Sequence, residues 1–340
     1  MPPCFVYNSI MGQSVARQMR ALYFEKTGSL SELKLGERPW PEAHPGEALV
    51  RVQAAAINPS DVKNVMGRFP FTTLPRIPGR DFAGAVLKGP SDLVGREVFG
   101  SARDLGYTRD GSHAEILSVP AESLALKPSG VGFEQAAGLG VPFLTAWQSV
   151  LVTGDLKEGE TILILGAGGA VGSAAAQLAK VKRAKVIGTV SKAEGLSRVK
   201  HLPVDDWIAL DQENLVQKTH ELTQGRGANF VLDTVGNPLF ESGLQCLAQR
   251  GRQVSIASTA DPKVSFNLVD FYHKESTLKG VDSLKLSFQE SGDILRELAQ
   301  WIERGKVAAP DVQAVSLEEA PAAYAKILEG SVKGKIVIRF

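Results

Sequence analysis

A glycine-rich turn between an apolar stretch and an alanine-rich stretch carries the clearest chemistry in this sequence of 340 residues. Residues 161–165, Thr-Ile-Leu-Ile-Leu, are mostly apolar, as a buried parallel strand should be. The glycines that follow are spaced as G-x-x-G-x-x-G, which lets the backbone come close to phosphate groups. The helix predicted after them would begin with unpaired N–H groups and the positive end of its dipole. The pattern predicts a pyrophosphate site, against the alternative of an ordinary strand–turn–helix connection. Its residues are Gly166, Gly168, Gly169, Ala170, Val171 and Gly172.

The next predicted strand, residues 185–190, ends without an acidic residue. In a dinucleotide site of this type, an Asp or Glu at that place holds the ribose 2′-hydroxyl of NADH. Here Ser191 and Lys192 follow the strand, Glu194 lies beyond them, and Arg198 comes a few residues later. A hydroxyl group and cations suit a 2′-phosphate, so the sequence favours NADPH over NADH. The alternative is that Lys192 and Arg198 are solvated surface charges.

Composition narrows the class of protein and its compartment. Hydrophobic residues make up 44% of the chain and charged residues 22%, as in ordinary globular proteins. The net charge of +1 gives no reason to expect a nucleic acid or a membrane surface as partner, and no apolar run is long enough to span a bilayer. Cys4 and Cys246 are far apart, which fits free thiols in a reducing compartment. We therefore expect a cytoplasmic protein, although the N-terminal residues leave organellar targeting open.

The order of predicted elements divides the chain into two folded units and gives an α/β fold class. Residues 1–18 predict a disordered extension. Residues 19–142 contain short strands separated by Pro- and Gly-rich turns, which predicts a β-rich substrate or catalytic domain. Residues 143–277 alternate helices and strands, which predicts a Rossmann domain with a doubly wound parallel sheet. Its predicted helices include one over residues 143–152 and one over residues 239–248. Residues 278–340 are predicted to return to the first domain, and the chain ends on a strand.

Short motifs occur in a fixed order along almost the whole chain from residue 19 onward. They are Ala56-Ile-Asn-Pro-Ser-Asp61, Ile77-Pro-Gly-Arg-Asp-Phe-Ala-Gly84, Gly111-Ser-His-Ala-Glu115, Phe143-Leu-Thr-Ala-Trp147, Leu232-Asp-Thr-Val-Gly236 and Gly334-Lys-Ile-Val337. Together with the glycine turn, they resemble the medium-chain dehydrogenase/reductase superfamily, and within it the zinc-free quinone oxidoreductase branch. The resemblance implies a GroES-like first domain and hydride transfer to a small molecule in the cleft between the domains. We also expect a homodimer.

The zinc ligands of the metal-dependent relatives are missing from each matching position. No cysteine stands near Asn58, Gly79-Arg80-Asp81 replaces a Gly-His-Glu motif, and residues 139–142 contain neither Cys nor Asp. The four clustered cysteines of a structural zinc lobe are missing as well. Since Asp81 alone cannot hold a metal, we predict that the chain binds none. Arg80 and Asp81 are then interpreted as a structural ion pair or as the charged start of a strand.

The resemblance also implies cofactor contacts beyond the glycine turn. Thr145 would contact the nicotinamide amide or ribose, and the alternative is an ordinary helix threonine. Asn58 matches an asparagine that reaches the nicotinamide ribose or the substrate in relatives, and the alternative is an Asx turn before Pro59. Backbone groups at the ends of later strands would face the cofactor, at Val235, Gly236, Ala257 and Ser258.

The proton donor is the point at which this sequence departs from its relatives. Quinone reductases of the branch often have tyrosines in the segment that matches residues 58–70, and enoyl-thioester reductases have a proton-donating tyrosine close to the second position. Here Lys63 and Phe69 stand at these positions, and a phenylalanine cannot donate a proton. Tyr107, in a glycine-flanked loop, is interpreted as a replacement acid or a lid residue, against the alternative of a flexible surface tyrosine. The candidate catalytic residues are therefore Asn58, Lys63 and Tyr107.

The predicted function is a zinc-independent, NADPH-dependent reduction of quinones or of α,β-unsaturated carbonyl compounds. A quinone needs less help from a positioned acid because its reduced oxygens can take protons from water. One alternative is an enoyl-thioester reductase with a proton donor outside the usual position. A second alternative, from another class, is a protein that holds NADPH as a sensor or scaffold without turnover.

Overall fold

The first strand begins one residue earlier than the sequence predicts. The computed structural model describes residues 17–258, 261–332 and 334–340, so residues 1–16 of the predicted extension lie outside the described residues. Gln18, the last residue of that extension, already belongs to strand β1 (Gln18–Tyr23).

The described part of the chain contains fifteen strands and ten α-helices. The further strands are β2 (Lys34–Pro39), β3 (Glu47–Ala56), β4 (Asp81–Lys88), β5 (Glu97–Ser101), β6 (Ile116–Pro120), β7 (Leu124–Leu126), β8 (Thr161–Leu165), β9 (Lys185–Val190), β10 (Asp206–Ala209), β11 (Ala228–Asp233), β12 (Leu247–Ser255), β13 (Thr277–Gly280), β14 (Val312–Ser316) and β15 (Lys335–Arg339). The helices are α1 (Pro59–Val65), α2 (Phe133–Ala137), α3 (Gly140–Trp147), α4 (Ala170–Val181), α5 (Leu196–Val199), α6 (Leu215–Leu222), α7 (Phe240–Gln245), α8 (Leu268–His273), α9 (Phe288–Glu303) and α10 (Ala320–Leu328).

Six parallel strands form the sheet of the second domain, in the order β10-β9-β8-β11-β12-β13. Strand β8 lies in the interior of this sheet, with β9 on one side and β11 on the other. Four of its five residues are buried and apolar, because helices cover both faces of such a sheet. The doubly wound sheet is therefore confirmed, and the glycine turn follows β8 at the point where the strand order reverses. Ligands bind at this point in open α/β sheets.

The first domain contains a mostly antiparallel sheet that the end of the chain completes. Its strand order is β14-β15-β3-β4-β5-β7, and β6 also pairs with β3. Strand β15 is antiparallel to β3, where Val337 lies opposite Ala56. The predicted return of the last strand to the first domain is thus confirmed.

The predicted boundary between residues 277 and 278 is wrong. Strand β13 spans it and is parallel to β12, with Leu278 opposite Gln253, so this segment still belongs to the second sheet. The prediction assigns residues from 278 onward to the chain that returns to the first domain. In the structure, residues 278–280 belong to β13, which is an edge strand of the second sheet and has all four of its residues exposed.

Two predicted helices also differ from the structure. The helix predicted over residues 239–248 stops at Gln245, and β12 begins at Leu247, which lies opposite Ala228 of β11. Pairing with β11 outweighs the helix-forming tendency of this stretch. The helix predicted over residues 143–152 begins earlier, at Gly140, and continues beyond α3 as a π-helical turn, Gln148–Thr153.

One apolar core extends through both domains. It joins Ala54 and Phe99 of the first domain to Ile164 and Phe230 of the second, and Phe143 of α3 lies in the same cluster. The elements that border the cleft are thus held by shared packing. Within the described residues, no helix is long and apolar enough to cross a membrane.

Candidate active site

The glycines of the turn after β8 have three different tasks. Gly166 has φ = 82°, a left-handed conformation that favours glycine, and its N–H donates to Thr189 Oγ1 at 2.9 Å. Gly172 packs against the turn, because a Cβ there would lie 2.3 Å from the Gly166 carbonyl oxygen. Gly169 has φ = −79° and a Cβ on it would meet only that same oxygen, at 3.3 Å. A glycine is favoured where φ is positive or where a ligand comes close to the backbone. Because φ at Gly169 is negative, the close approach of a ligand is the reason that remains.

A cleft of about 870 Å³ lies at this turn. Its lining includes Gly166, Gly168, Gly169 and Ala170, together with Ser191, Lys192 and Arg198. Lys192 and Arg198 are exposed, and neither forms an ion pair with any residue that the structure describes. The structure thus brings predicted pyrophosphate and 2′-phosphate residues to one cleft, where Lys192 and Arg198 form no ion pair although the acidic residue Glu194 also lines it.

A second cavity, of about 530 Å³, lies at the same edge of the parallel sheet. Ser255 and Gly280, the last residues of β12 and β13, contribute to its wall. Carboxyl ends of parallel strands share one edge, so the two cavities lie on either side of the β11 end. Gln148 and Thr153 line the second cavity from the helical segment after α3. An extended ligand that crosses the glycine turn can therefore occupy both.

The backbone N–H groups of Val235 and Gly236, at the end of a strand, are less available to a cofactor than the sequence predicts. Their N–H groups donate to Asp233 Oδ1, at 3.0 Å and 2.7 Å, and are thus engaged within the protein. Gly236 has φ = 81°, and a Cβ on it would lie 2.7 Å from the carbonyl oxygen of Ala257. Val235 lines the first cleft, whereas Gly236, Ala257 and Ser258 are absent from the linings of both cavities.

Asn58 belongs to a buried polar cluster at the inner end of the first cleft. Its Nδ2 donates to Asp81 Oδ2 at 2.9 Å, and Lys335 Nζ donates to its Oδ1. Lys335 Nζ lies 3.7 Å from Asp81 Oδ2, and the side chains of Lys335 and Asp81 are 6% and 0% exposed. The Asn58 side chain is therefore engaged in this cluster, while the residue also stands at the N-cap of α1. Lys335 also lines the first cleft.

Burial shifts the pKa values of the ionisable groups in this cluster. Asp61 Oδ2 accepts the backbone N–H of Asn58 at 2.8 Å, and burial raises the pKa of Asp61 to about 7. Burial lowers the pKa of Lys335, and the nearby carboxylates of Asp81 and Asp61 counteract that effect. The cluster therefore holds a lysine whose pKa is lowered and an aspartate whose pKa is raised to about 7.

Arg80 and Asp81 do not pair with each other. Asp81 pairs with Lys335, and its Oδ1 accepts the N–H of Val141 at 2.8 Å. Arg80 is buried and donates from Nε to the carbonyl oxygen of Ala102 at 3.3 Å. The ion-pair interpretation is therefore wrong, and the alternative fits, since Asp81 begins β4. No group of three or more His, Cys, Asp or Glu side chains that could hold a metal occurs among the described residues.

The other predicted catalytic residues lie in different surroundings. Tyr107 is 1% exposed and packs against the rings of Phe69 and Phe71, so the interpretation as a flexible surface tyrosine is wrong. Burial raises its pKa well above the ordinary value, and its hydroxyl has no hydrogen-bond partner among the described residues. Lys63 is exposed and lines neither cavity. Thr145 is buried on α3 and also lines neither cavity.

Two residues of the site were missed by sequence reasoning. Lys335 lies within the Gly334-Lys-Ile-Val337 motif, and its position on a strand returning to β3 was the available signal. Gln148 directly follows the Phe143-Leu-Thr-Ala-Trp147 motif and carries no signal of its own. Both residues are brought to the cavities by tertiary structure.

Comparisons with known proteins agree with this architecture. The alcohol dehydrogenase GroES-like domain family matches residues 44–129, and the zinc-binding dehydrogenase family matches residues 170–302. A zinc-type alcohol dehydrogenase-like protein of Schizosaccharomyces pombe is 39% identical over 85% of this chain and 86% of its own length. An NADPH-dependent alkenal/one oxidoreductase of Arabidopsis thaliana, a chloroplastic protein, is 31% identical over 86% of this chain and 72% of its own. The solved quinone oxidoreductase of Pseudomonas syringae has a TM-score of 0.84 and 27% identity, over 95% of this chain and all of its own.

The fold and the site thus define an oxidoreductase that binds a nicotinamide cofactor. The chain belongs to the medium-chain dehydrogenase/reductase superfamily, in its quinone oxidoreductase-like branch.

Proposed function

We propose that this protein is an NADPH-dependent reductase that transfers a hydride to quinones or to α,β-unsaturated carbonyl compounds. The observation that carries the proposal is the first cleft, where Gly169 leaves open space and the side chains of Lys192 and Arg198 form no ion pair with any described residue. The named activities of the alkenal and quinone relatives support the choice of acceptor. A nicotinamide cofactor bound here would supply the hydride.

The remaining tasks fall to residues of the chain itself. The turn at Gly169 and Ala170 receives the pyrophosphate, and Lys192 and Arg198 neutralise the 2′-phosphate. Lys335 adds a positive charge to the opposite wall of the cleft, and Asn58 and Asp81 hold it in place. Asn58 is thus a positioning residue, because both ends of its amide are engaged.

Tyr107 is the proposed hydrogen-bond donor to the oxygen of the acceptor. Its raised pKa keeps the phenol protonated, and its hydroxyl lies close to the Ser60 side chain without a hydrogen bond of normal geometry to any described residue. The ring of Phe71, which is 52% exposed, packs against the ring of Tyr107, and Tyr107 lines neither cavity, so an acceptor reaches the hydroxyl only when the packing around it opens. The reduced oxygens of a quinone can also take protons from water. We therefore expect Tyr107→Phe to slow the reduction of an enone more than the reduction of a quinone.

A substrate panel tests the proposed function. NADPH oxidation is measured with quinones, enones and enoyl thioesters, before and after chelation. Turnover of quinones or enones that survives chelation supports a zinc-independent reductase. Turnover confined to enoyl thioesters would indicate the first alternative. Tight NADPH binding without oxidation by any acceptor would indicate a sensor or scaffold, and loss on chelation with recovery on adding zinc contradicts metal independence.

Lys192→Ala is expected to weaken NADPH binding far more than NADH binding. Only NADPH carries the phosphate that Lys192 would neutralise, and a charge-assisted contact contributes about 1.5–3 kcal/mol, which corresponds to roughly ten- to hundredfold in affinity. Because Lys192 is exposed, we expect the loss of NADPH affinity at high salt to lie at the lower end of this range. Lys200→Ala is a matched control, since Lys200 is exposed but does not line the cleft. Equal affinity of the unmodified protein for NADH and NADPH would contradict the assignment.

We also propose that the protein forms a cytoplasmic homodimer through the β13 edge of the parallel sheet. An exposed edge strand offers unpaired backbone groups, and β13 with the neighbouring α8 exposes Leu278 (40%), Leu268 (63%) and Tyr272 (55%). Sedimentation velocity should show a dimer that Leu278→Lys converts to monomer. Leu126→Lys, on the similarly exposed β7, should leave the dimer intact. A monomer at all concentrations would contradict this proposal.

A further inference from the structure

A buried side-chain oxygen without a partner lies at the second cavity. Gln148 Oε1 is shielded from solvent and accepts no hydrogen bond from any described residue. Buried polar atoms in folded proteins are nearly always paired, and a rotation of the Gln148 amide that turns this oxygen toward the cavity, where a ligand can donate to it, breaks no hydrogen bond to the oxygen from the described residues. Gln148 lines the second cavity, which is large enough for an aromatic ring.

Several other side-chain oxygens of this cavity are already engaged. Asp282 Oδ1 accepts the N–H of Leu284 at 2.9 Å, and Glu290 Oε2 accepts the N–H of Ser287 at 2.7 Å. Ser255 Oγ donates to Asp233 Oδ2 at 3.2 Å. These groups serve turns, helix caps and the end of β12. Among the described residues that line this cavity, Gln148 carries the buried side-chain oxygen that lacks a partner.

The position of the cavity indicates which part of a dinucleotide enters it. Lys192 follows β9, on one side of the glycine turn, and receives the 2′-phosphate of the adenosine half under the proposed function. The sheet order β9-β8-β11-β12-β13 places the second cavity on the other side of the turn. Strands lie about 4.8 Å apart, so the end of β12 is roughly 10 Å from the end of β8. A ribose and a pyridine ring span such a distance, which places the nicotinamide at Gln148.

We propose that Gln148 Oε1 accepts a hydrogen bond from the carboxamide NH₂ group of the nicotinamide and so restricts rotation of the ring about its bond to the ribose. Gln148 is three residues after Thr145 on a continuous helical segment, so the two side chains share one face. The inference rests on the proposed function, because it requires a dinucleotide in the cleft. Gln148 is assigned as a positioning residue for the reacting ring.

Three ligands and two variants test this contact without measuring turnover. The ligands are NADPH, its reduced 3-acetylpyridine analogue, which has a methyl group in place of the NH₂, and adenosine 2′,5′-bisphosphate, which lacks the nicotinamide half. Calorimetric titration of Gln148→Leu should give NADPH affinity roughly three- to tenfold lower than in the unmodified protein, the loss of one neutral hydrogen bond. The acetylpyridine analogue and the bisphosphate should bind the variant as tightly as they bind the unmodified protein. Gln148→Glu keeps an acceptor oxygen and should restore the preference for NADPH over the analogue.

The outcomes separate this inference from the proposed function. If the unmodified protein binds neither NADPH nor the bisphosphate, the proposed function fails. If it binds both, and Gln148→Leu weakens NADPH and the analogue equally or weakens neither, the carboxamide contact is overturned while the reductase proposal stands. A thermal melt of each variant without ligand checks that it folds. If Gln148→Leu does not fold, the affinities of Gln148→Glu for NADPH and for the acetylpyridine analogue decide the question.

Discussion

Gly169→Val is expected to abolish NADPH binding while the protein keeps its fold. The backbone at position 169 has φ = −79° and ψ = 167°, an extended conformation that valine adopts readily. A Cβ there would meet only the Gly166 carbonyl oxygen, at 3.3 Å, and the remaining volume of the side chain extends into the cleft. Replacing glycine at the N-cap of a helix by valine costs about 1 kcal/mol. The larger effect falls on the phosphates, which the side chain displaces from the helix N-terminus.

Gly172→Ala is the matched control and should have the opposite effect. Its Cβ would lie 2.3 Å from the Gly166 carbonyl oxygen and 2.7 Å from Ala167 Cα, and backbone atoms cannot move aside cheaply. Overpacking of this kind costs about 1–3 kcal/mol or more, so the melting temperature should fall.

Melting temperatures with and without NADPH distinguish the two roles. At an NADPH concentration about 100 times the dissociation constant, the ligand stabilises the unmodified protein by about 2.7 kcal/mol. Gly169→Val should melt near the unmodified protein and gain nothing from NADPH. A Gly169→Val protein that melts much lower yet gains the full ligand-dependent shift would show that Gly169 serves packing alone.

Asp81→Ala is expected to lower the free energy of unfolding by about 3–5 kcal/mol, the cost of leaving one member of a buried ion pair without its partner. The change removes the counter-charge of Lys335 and the acceptors for the Asn58 side chain and the Val141 N–H. Urea titration followed by circular dichroism measures the effect.

Asp155→Ala provides the comparison for this pair. Asp155 and Lys157 form an ion pair with side chains that are 63% and 65% exposed, so loss of the pair should cost less than about 1 kcal/mol. The left-handed backbone at Asp155, with φ = 47°, adds about 1–2 kcal/mol when alanine replaces it. Lys335→Met, combined with Asp81→Ala, should cost less than the sum of the single changes, because no buried charge is then left unpaired. If Asp81→Ala costs as little as Asp155→Ala, the pair does not stabilise the fold.

Local patterns were sufficient to predict that the glycine turn and the cations after residue 190 lie close together. The strand at residues 161–165, the glycine spacing and the cations after residue 190 are close in sequence, and a parallel sheet fixes where they lie relative to one another. The structure accordingly brings Gly169, Lys192 and Arg198 to one cleft.

The acceptor half could not be predicted in the same way, because its residues are joined by tertiary contacts. Asn58 and Lys335 are 277 residues apart, and nothing near either residue indicates that they touch. Tyr107 lies in a loop without periodicity, so its burial against Phe69 and Phe71 depends on the packing of that loop. The start of β12 could not be predicted from the local sequence either, because its pairing with β11 overrides the local helical pattern.

The lysine that completes the polar cluster lies 277 residues after Asn58, on the strand that pairs with both β3 and β14. During synthesis, the glycine turn and its parallel sheet leave the ribosome well before Lys335 does, and domains generally fold in the order in which they are made. A nascent chain therefore has its glycine turn while Asp81 still lacks its counter-charge. The polar cluster of the first domain is consequently completed only after the parallel sheet of the second domain has been made.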